Sequence, residues 1–187
     1  MASTPSTMLP LGTSMPDFTL TNAVDGQPVA AKGLNRSKGA LVMFICNHCP
    51  YVIHIRAKLV EVVHRAVDRG LAVVAINANS TQTHPQDGPT HMKQLATVEK
   101  WRFPFLFDET QDVAKAFSAA CTPDLFLFDA KGALVYRGQF DASRPSKSDP
   151  VTGQDLQAAI DAVLGGTTPS GAQVPSIGCN IKWHRRA

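Results

Sequence analysis

The sequence predicts an α/β fold: a mixed central β-sheet flanked by helices on both faces, with an N-terminal extension and a C-terminal tail. Two observations carry this. Two continuous apolar runs, residues 40–46 and 71–77, flank a stretch of helical periodicity, which makes a βαβ unit with parallel strands. Farther on, Leu125-Phe126-Leu127-Phe128 and Ala133-Leu134-Val135-Tyr136 flank Asp129-Ala130-Lys131-Gly132. That is a β-hairpin signal, and its strands are antiparallel.

The elements follow in order. Residues 1–14 read as a flexible leader, rich in Ser, Thr and Pro. The leader has no Lys or Arg and no apolar h-region, so it does not read as a secretory signal. Asp17-Phe18-Thr19-Leu20 alternates as a short strand, and Asp25-Gly26 marks a turn. After the buried strand at 40–46 comes a helix over 50–69. Val52, Ile55, Leu59, Val62 and Val63 recur at spacings of three and four, and Gly70 stops it. The strand at 71–77 gives way to a polar loop, Asn79 to Pro89, long enough to border a site. A helix over 90–101 sets Met92, Leu95, Val98 and Trp101 on one face. A short strand at 103–107, a short helix at 112–119, the hairpin and a helix over 153–164 complete the core. The tail, 167–187, turns specific again at Ile177-Gly178-Cys179-Asn180-Ile181-Lys182-Trp183 and is expected to pack back on the domain.

A chain of 187 residues suits one domain with a full core. Its net charge of +3 is too small to argue for a polyanionic partner, so no nucleic acid is expected. The one basic cluster, Lys182, Arg185 and Arg186, reads as a solvated end. No stretch approaches the roughly 18 apolar residues of a membrane span. The expected place is the cytoplasm, where structural disulfides are uncommon, so the four cysteines point to thiol chemistry or metal binding. Nucleotide-binding glycine motifs are missing, and the carboxylates form no convincing hydrolytic pair. His64 and His91 read as isolated surface residues.

The chemistry concentrates in Cys46-Asn47-His48-Cys49-Pro50, a C-x-x-C where a strand hands over to a helix. A helix N-terminus offers unpaired N–H groups and positive potential, which favour a thiolate. Three-residue spacing at a helix start keeps both sulfurs on one face, within disulfide reach. His48 can stabilise a Cys46 thiolate by charge and hydrogen bonding. Pro50 suits the first helical position, where its missing N–H is not needed. Two buried structural cysteines and an uncoupled surface histidine are the plainer alternatives.

With Cys121-Thr122-Pro123-Asp124 before the hairpin, the opening Met15-Pro16-Asp17-Phe18-Thr19-Leu20 and the element order, the chain resembles the thioredoxin superfamily. Within it, it is similar to the peroxiredoxin-like AhpC/TSA and TlpA-type branch, an uncharacterised bacterial group, over about residues 14–166. The resemblance implies a thioredoxin-like domain over 15–166, with Cys46 as exposed nucleophile and Cys49 as resolving thiol. It implies a cis-proline at Pro123 facing the nucleophile, with Thr122 offering backbone groups that pair with a substrate strand. Cys121 and Cys179 are candidates for further redox thiols, Cys179 pairing with Cys121 or relaying electrons to the first pair; a buried small residue is the simpler account of Cys121. The implied partners are a protein or small-molecule disulfide, or a peroxide, and a thiol reductant. No cofactor is implied, and a homodimer is a common arrangement of such relatives.

The departures from the family pattern shape the reading. Met43 and Cys46 stand where a peroxidatic threonine or serine would precede Cys46 and Cys49. Ala40 and Val52 stand where relatives carry buried acids, which leaves His48 and His54 as local proton acceptors and Glu61 too far along the helix. Thiol–disulfide exchange is therefore the leading expectation and thiol peroxidase the next. Copper or zinc binding by Cys46, Cys49 and His48 or His84, or by Cys121 and Cys179, is the third.

Overall fold

The structure, a computed structural model, describes residues 3–185; Arg186 and the first two residues of the leader lie outside the described residues. The chain begins with strand β1 (Ser3–Pro5). Strands β2 (Thr19–Asn22) and β3 (Pro28–Ala30) form a hairpin around Asp25-Gly26. Strand β4 (Ala40–Phe44) is buried along its whole length and runs into the C-x-x-C segment. Helix α1 (Pro50–Asp68) follows, with the predicted apolar residues on its buried face. Strand β5 (Ala72–Asn77) returns parallel to β4. Helix α2 (Pro89–Val98), strand β6 (Phe105–Phe107) and helix α3 (Asp112–Ala116) lead to strand β7 (Cys121–Thr122). Strands β8 (Asp124–Phe128) and β9 (Leu134–Arg137) form the expected hairpin, and helix α4 (Gln154–Leu164) and strand β10 (Ile177–Asn180) complete the chain.

Seven strands make the main sheet in the order β3-β2-β6-β5-β4-β8-β9. Pairs β4/β5 and β5/β6 are parallel and the others antiparallel, so the sheet is mixed. One face packs against α1, α2 and α4 through Val52, Leu59, Met92, Leu156 and Ile160. The other packs against α3 through a cluster of aromatic rings, where Phe117 meets Phe44, Phe126 and Phe128 at centroid distances of 5.4, 5.5 and 6.0 Å. No helix among the described residues is long and apolar enough to cross a membrane.

Helix α2 differs from its expected form. It ends at Val98, which is 73% exposed, and its buried face is Met92 and Ala96. Trp101 leaves the helix and stacks on Phe103 instead. Once the helix stops, the three-and-four spacing no longer decides which residues share a face.

The two ends of the chain make a second sheet, β1-β10-β7. Residues 1–14 were expected as a flexible leader, but residues 3–5 pair with 177–179, and Ser6 N–H donates to Ser176 O at 2.8 Å. Tail and leader satisfy each other's backbone groups, which orders two segments that have little apolar content of their own. The tail in turn pairs with β7, with Cys179 opposite Thr122 and Asn180 opposite Cys121.

Gly178 makes this docking sterically feasible. A Cβ there would lie 2.0 Å from the Thr122 carbonyl oxygen and 2.6 Å from its carbon, both backbone atoms. Gly178→Ala is therefore expected to lift β10 off β7 and cost about 3 kcal/mol. Urea unfolding under reducing conditions reads the loss, and faster amide exchange confined to residues 3–6 and 177–181 reads its location.

Candidate functional site

Strand β4 ends where it must for the site. Its last residue, Phe44, pairs with Asp124 of β8, so the two segments that leave the sheet here, 45–49 and 121–123, lie side by side. The Thr122–Pro123 peptide bond is cis. Pro50 opens α1 at its first position and Cys49 is the N-cap.

Cys46, Cys49, Thr122 and Pro123 thus meet at one end of the sheet. Cys46 Sγ lies 3.4 Å from the Thr122 hydroxyl, and the Cys49 thiol donates to the Thr122 carbonyl at 3.1 Å. Cys46, Cys49, Cys121 and Cys179 are all buried thiols. The expected exposed nucleophile is therefore covered: Cys46 is 1% exposed. The residues over it are its own neighbours Asn47 and His48, both only partly buried, held down by the loop after β5.

That loop carries Asp87, which sequence reasoning missed. Asp87 is fully buried, and its carboxylate accepts the Asn47 backbone N–H at 2.9 Å and the Asn79 side-chain amide at 2.8 Å. It also lies 2.6 Å from His48 Nδ1. Asn77 holds the Asp87 carbonyl at 2.8 Å, and Asn47 Nδ2 donates to Gln86 O at 2.9 Å. Burial works against the Asp87 charge, but the bonds from His48, Asn79 and Asn47 outweigh it and hold the carboxyl below its usual range. The available signal was the polar loop 79–89, long enough to border a site but as readily a plain surface loop, with no rule to choose Asp87.

His48 is thus committed to Asp87. Its Nδ1 is 4.0 Å from Cys46 Sγ, too long for a strong bond, and its ring stacks on His84 at a centroid distance of 4.8 Å. His54, the other expected proton acceptor, bonds Ser143 Oγ at 3.1 Å instead.

The proton affinities of the two sulfurs are pushed in opposite directions. Cys46 holds its proton well above the usual thiol range, because it donates to Cys49, is buried and faces the Asp87 charge. Cys49 is pulled down, chiefly by the hydrogen bond from Cys46, with Thr122, Cys179 and the Val52 N–H adding to it against burial. Cys49 is the N-cap of α1, but its lowered proton affinity comes chiefly from Cys46 and not from the helix end. Burial and the Asp124 charge hold the Cys121 proton far above the usual thiol range, and its thiol reaches only the Pro123 carbonyl at 3.5 Å. Cys179 sits among the same buried side chains as Cys46 and Cys49.

Cys46, His48 and Asp87 also place a sulfur, a nitrogen and an oxygen within 4.8 Å of one another, a donor set that soft and borderline metals accept. At 2.6 Å, however, His48 and Asp87 are separated by a hydrogen-bond distance and are each other's partners.

Asp87→Asn is expected to lower stability by about 1–3 kcal/mol at neutral pH, since a buried charged acceptor of three donors is lost. A carboxyl with a lowered folded-state pKa contributes stability that is present above the ordinary Asp range and lost as pH falls through the folded value. The gap between wild type and variant should therefore close below about pH 4, which urea titrations from pH 3 to 7 will read.

The chain matches an uncharacterised conserved protein from Geobacillus kaustophilus at 46% identity, covering 100% of this chain and 99% of that one, with a TM-score of 0.97. A hypothetical protein from Sinorhizobium meliloti matches at 45% identity, covering 98% and 100%, with a TM-score of 0.95. More distantly, the fold is that of a thiol:disulfide interchange protein of the thioredoxin family from Chlorobium tepidum, at 21% identity, 82% and 97% coverage and a TM-score of 0.63. No curated protein matches the chain. Residues 11–137 match the AhpC/TSA family, a span that includes the C-x-x-C, the Asp87 loop, the Thr122–Pro123 segment and the β8/β9 hairpin. A cysteine pair at the end of β4 facing a cis-proline is thus set in the expected frame, and the chain belongs to the AhpC/TSA family of the thioredoxin superfamily.

Proposed function

We propose that the protein is a thiol–disulfide oxidoreductase in which Cys46 attacks and Cys49 resolves. The observation that carries the reading is the convergence of both sulfurs on Thr122, beside the cis Thr122–Pro123 peptide. Cys49 lies beneath Thr122, whereas Cys46 borders the partly exposed Asn47 and His48. A groove beside them, lined by Leu95, Val98, His91 and Gln94, gives a substrate its approach.

The proton passes from Cys46 to the Cys49 sulfur as the Cys46 thiolate attacks a substrate disulfide. A mixed disulfide forms, and the substrate thiolate that leaves takes the proton from Cys49. The Cys49 thiolate then attacks the Cys46 sulfur, releasing the second substrate sulfur as a thiolate that solvent protonates and leaving a Cys46–Cys49 disulfide. A thiol reductant regenerates the pair.

One contact favours peroxide reduction as a second reading. The Thr122 hydroxyl lies 3.4 Å from Cys46 Sγ, so a hydroxyl stands beside the thiol even though the usual peroxidatic threonine position holds Met43. There Cys46 would take one peroxide oxygen to become a sulfenic acid, the other oxygen leaving as water, and Cys49 would condense with that acid, releasing a second water. Stopped-flow mixing of the reduced protein with a model disulfide and with hydrogen peroxide tests both. Faster oxidation by the disulfide is expected. Faster oxidation by peroxide moves the assignment to the second reading, and inertness to both overturns the redox role.

A further inference from the structure

Strand β10 occupies the position that a substrate strand would take. In the thioredoxin layout the residue before the cis-proline pairs with an extended substrate, and here that residue, Thr122, is already paired, antiparallel, with Cys179 of the chain's own tail. The fit is close. Gly178 lies flat on the Thr122–Pro123 peptide, with no room for a Cβ. Cys179 is 3% exposed and belongs to the same buried cluster as Cys46 and Cys49. Thr122 thus contacts two sulfurs and pairs with the residue that carries a third. Its hydroxyl contacts Cys46, its carbonyl accepts from Cys49, and Cys179 is its partner across the strand pair.

We propose that Cys179 is a third redox thiol, presented by a tethered strand that imitates substrate, and that it exchanges with Cys49. The proposal rests on the oxidoreductase reading above. Once Cys46 and Cys49 are joined, the Cys179 thiolate attacks Cys49 Sγ. The Cys49–Cys179 bond forms as the Cys46–Cys49 bond breaks, and Cys46 leaves as a thiolate that takes up the proton Cys179 gave. The step is an isomerisation, so it needs no further oxidant. In the reduced protein burial and the neighbouring Cys49 hold the Cys179 proton well above the usual thiol range. Oxidation of Cys49 removes that second restraint. Because β10 fills the pairing edge, an extended polypeptide has no free backbone partner at Thr122. Substrates therefore reach Cys46 from the Asn47–His48 side.

Diamide oxidation, acid quenching, alkylation with iodoacetamide and non-reducing tryptic mapping test this, because trypsin separates the cysteines into residues 39–56, 116–131 and 148–182. In wild type the Cys46–Cys49 disulfide should appear first and a 39–56/148–182 link later. In Cys46→Ser the same link should form directly, with Cys121 alkylated. In Cys179→Ala the reaction should stop at Cys46–Cys49. The proposal is overturned if wild type halts at Cys46–Cys49 with Cys179 alkylated throughout, or if Cys179 links only to 116–131. If wild type never forms Cys46–Cys49, the oxidoreductase reading falls and the proposal with it.

Discussion

Cys46→Ser is expected to reduce disulfide turnover by roughly a thousandfold or more, since a serine hydroxyl does not supply a thiolate at neutral pH. Cys49→Ser should behave differently. It retains an attacking sulfur but no resolving one, so it should react once and stop, carrying half of the substrate as a mixed disulfide visible as added mass. The two variants also test which sulfur attacks, a point on which proton affinity and access disagree. Cys49 is the more acidic of the pair. It is as buried as Cys46, and it is bonded to the Thr122 carbonyl that β10 packs over. Cys46 keeps its proton more tightly but lies next to the partly exposed Asn47 and His48. We favour Cys46 because its partly exposed neighbours open the side on which a substrate can approach, whereas Cys49 lies behind the Thr122 carbonyl. If Cys46→Ser traps substrate and Cys49→Ser is inert, the roles are reversed.

The fold was legible where the sequence pattern reports burial directly. Residues 40–45 and 71–76 are apolar because strands β4 and β5 are buried on both faces, and α1 shows its buried face at the spacings the helix imposes. The cysteine pair was legible because chemistry and position coincide there. Asp87 was not. It is a single acid in a polar loop, and its partners His48, Asn47 and Asn79 approach it only after β5 brings the loop back beside the end of β4. The second sheet was hidden for a related reason. Ser3–Pro5 and Cys121–Thr122 have no apolar alternation, since they are held by backbone pairing to β10 and not by side-chain burial in a periodic face. The degree of burial of Cys46 was also illegible, because it depends on this returning loop.

The same hidden sheet explains a buried acid that the family pattern led us to seek elsewhere. Ala40 and Val52 stand where relatives carry one, but Asp124, immediately after Pro123, is fully buried beside Phe44. Burial raises its carboxyl to about 7, against hydrogen bonds from Ser6 and from the backbone of Ala120, Cys121 and Leu125, and one of its oxygens has no partner. The sign of its contribution to stability is therefore the reverse of that for Asp87. A carboxyl with a raised folded-state pKa binds its proton more tightly folded than unfolded, so folding is favoured below the ordinary Asp range and loses stability as pH rises from about 4 to 7. At about 1.4 kcal/mol per pH unit in that window, the loss approaches about 4 kcal/mol at pH 8. Asp124→Asn removes the titration while keeping an acceptor for the Ala120 N–H, which bonds Asp124 at 3.2 Å. Relative to wild type, the variant should gain stability steadily between pH 4 and 7 and hold that gain above it, as read by urea unfolding of both proteins under reducing conditions. A difference that stays flat across this range would mean that Asp124 is ionised in the folded protein at all these pH values. Its charge would then bear permanently on Cys121, two positions before the cis-proline.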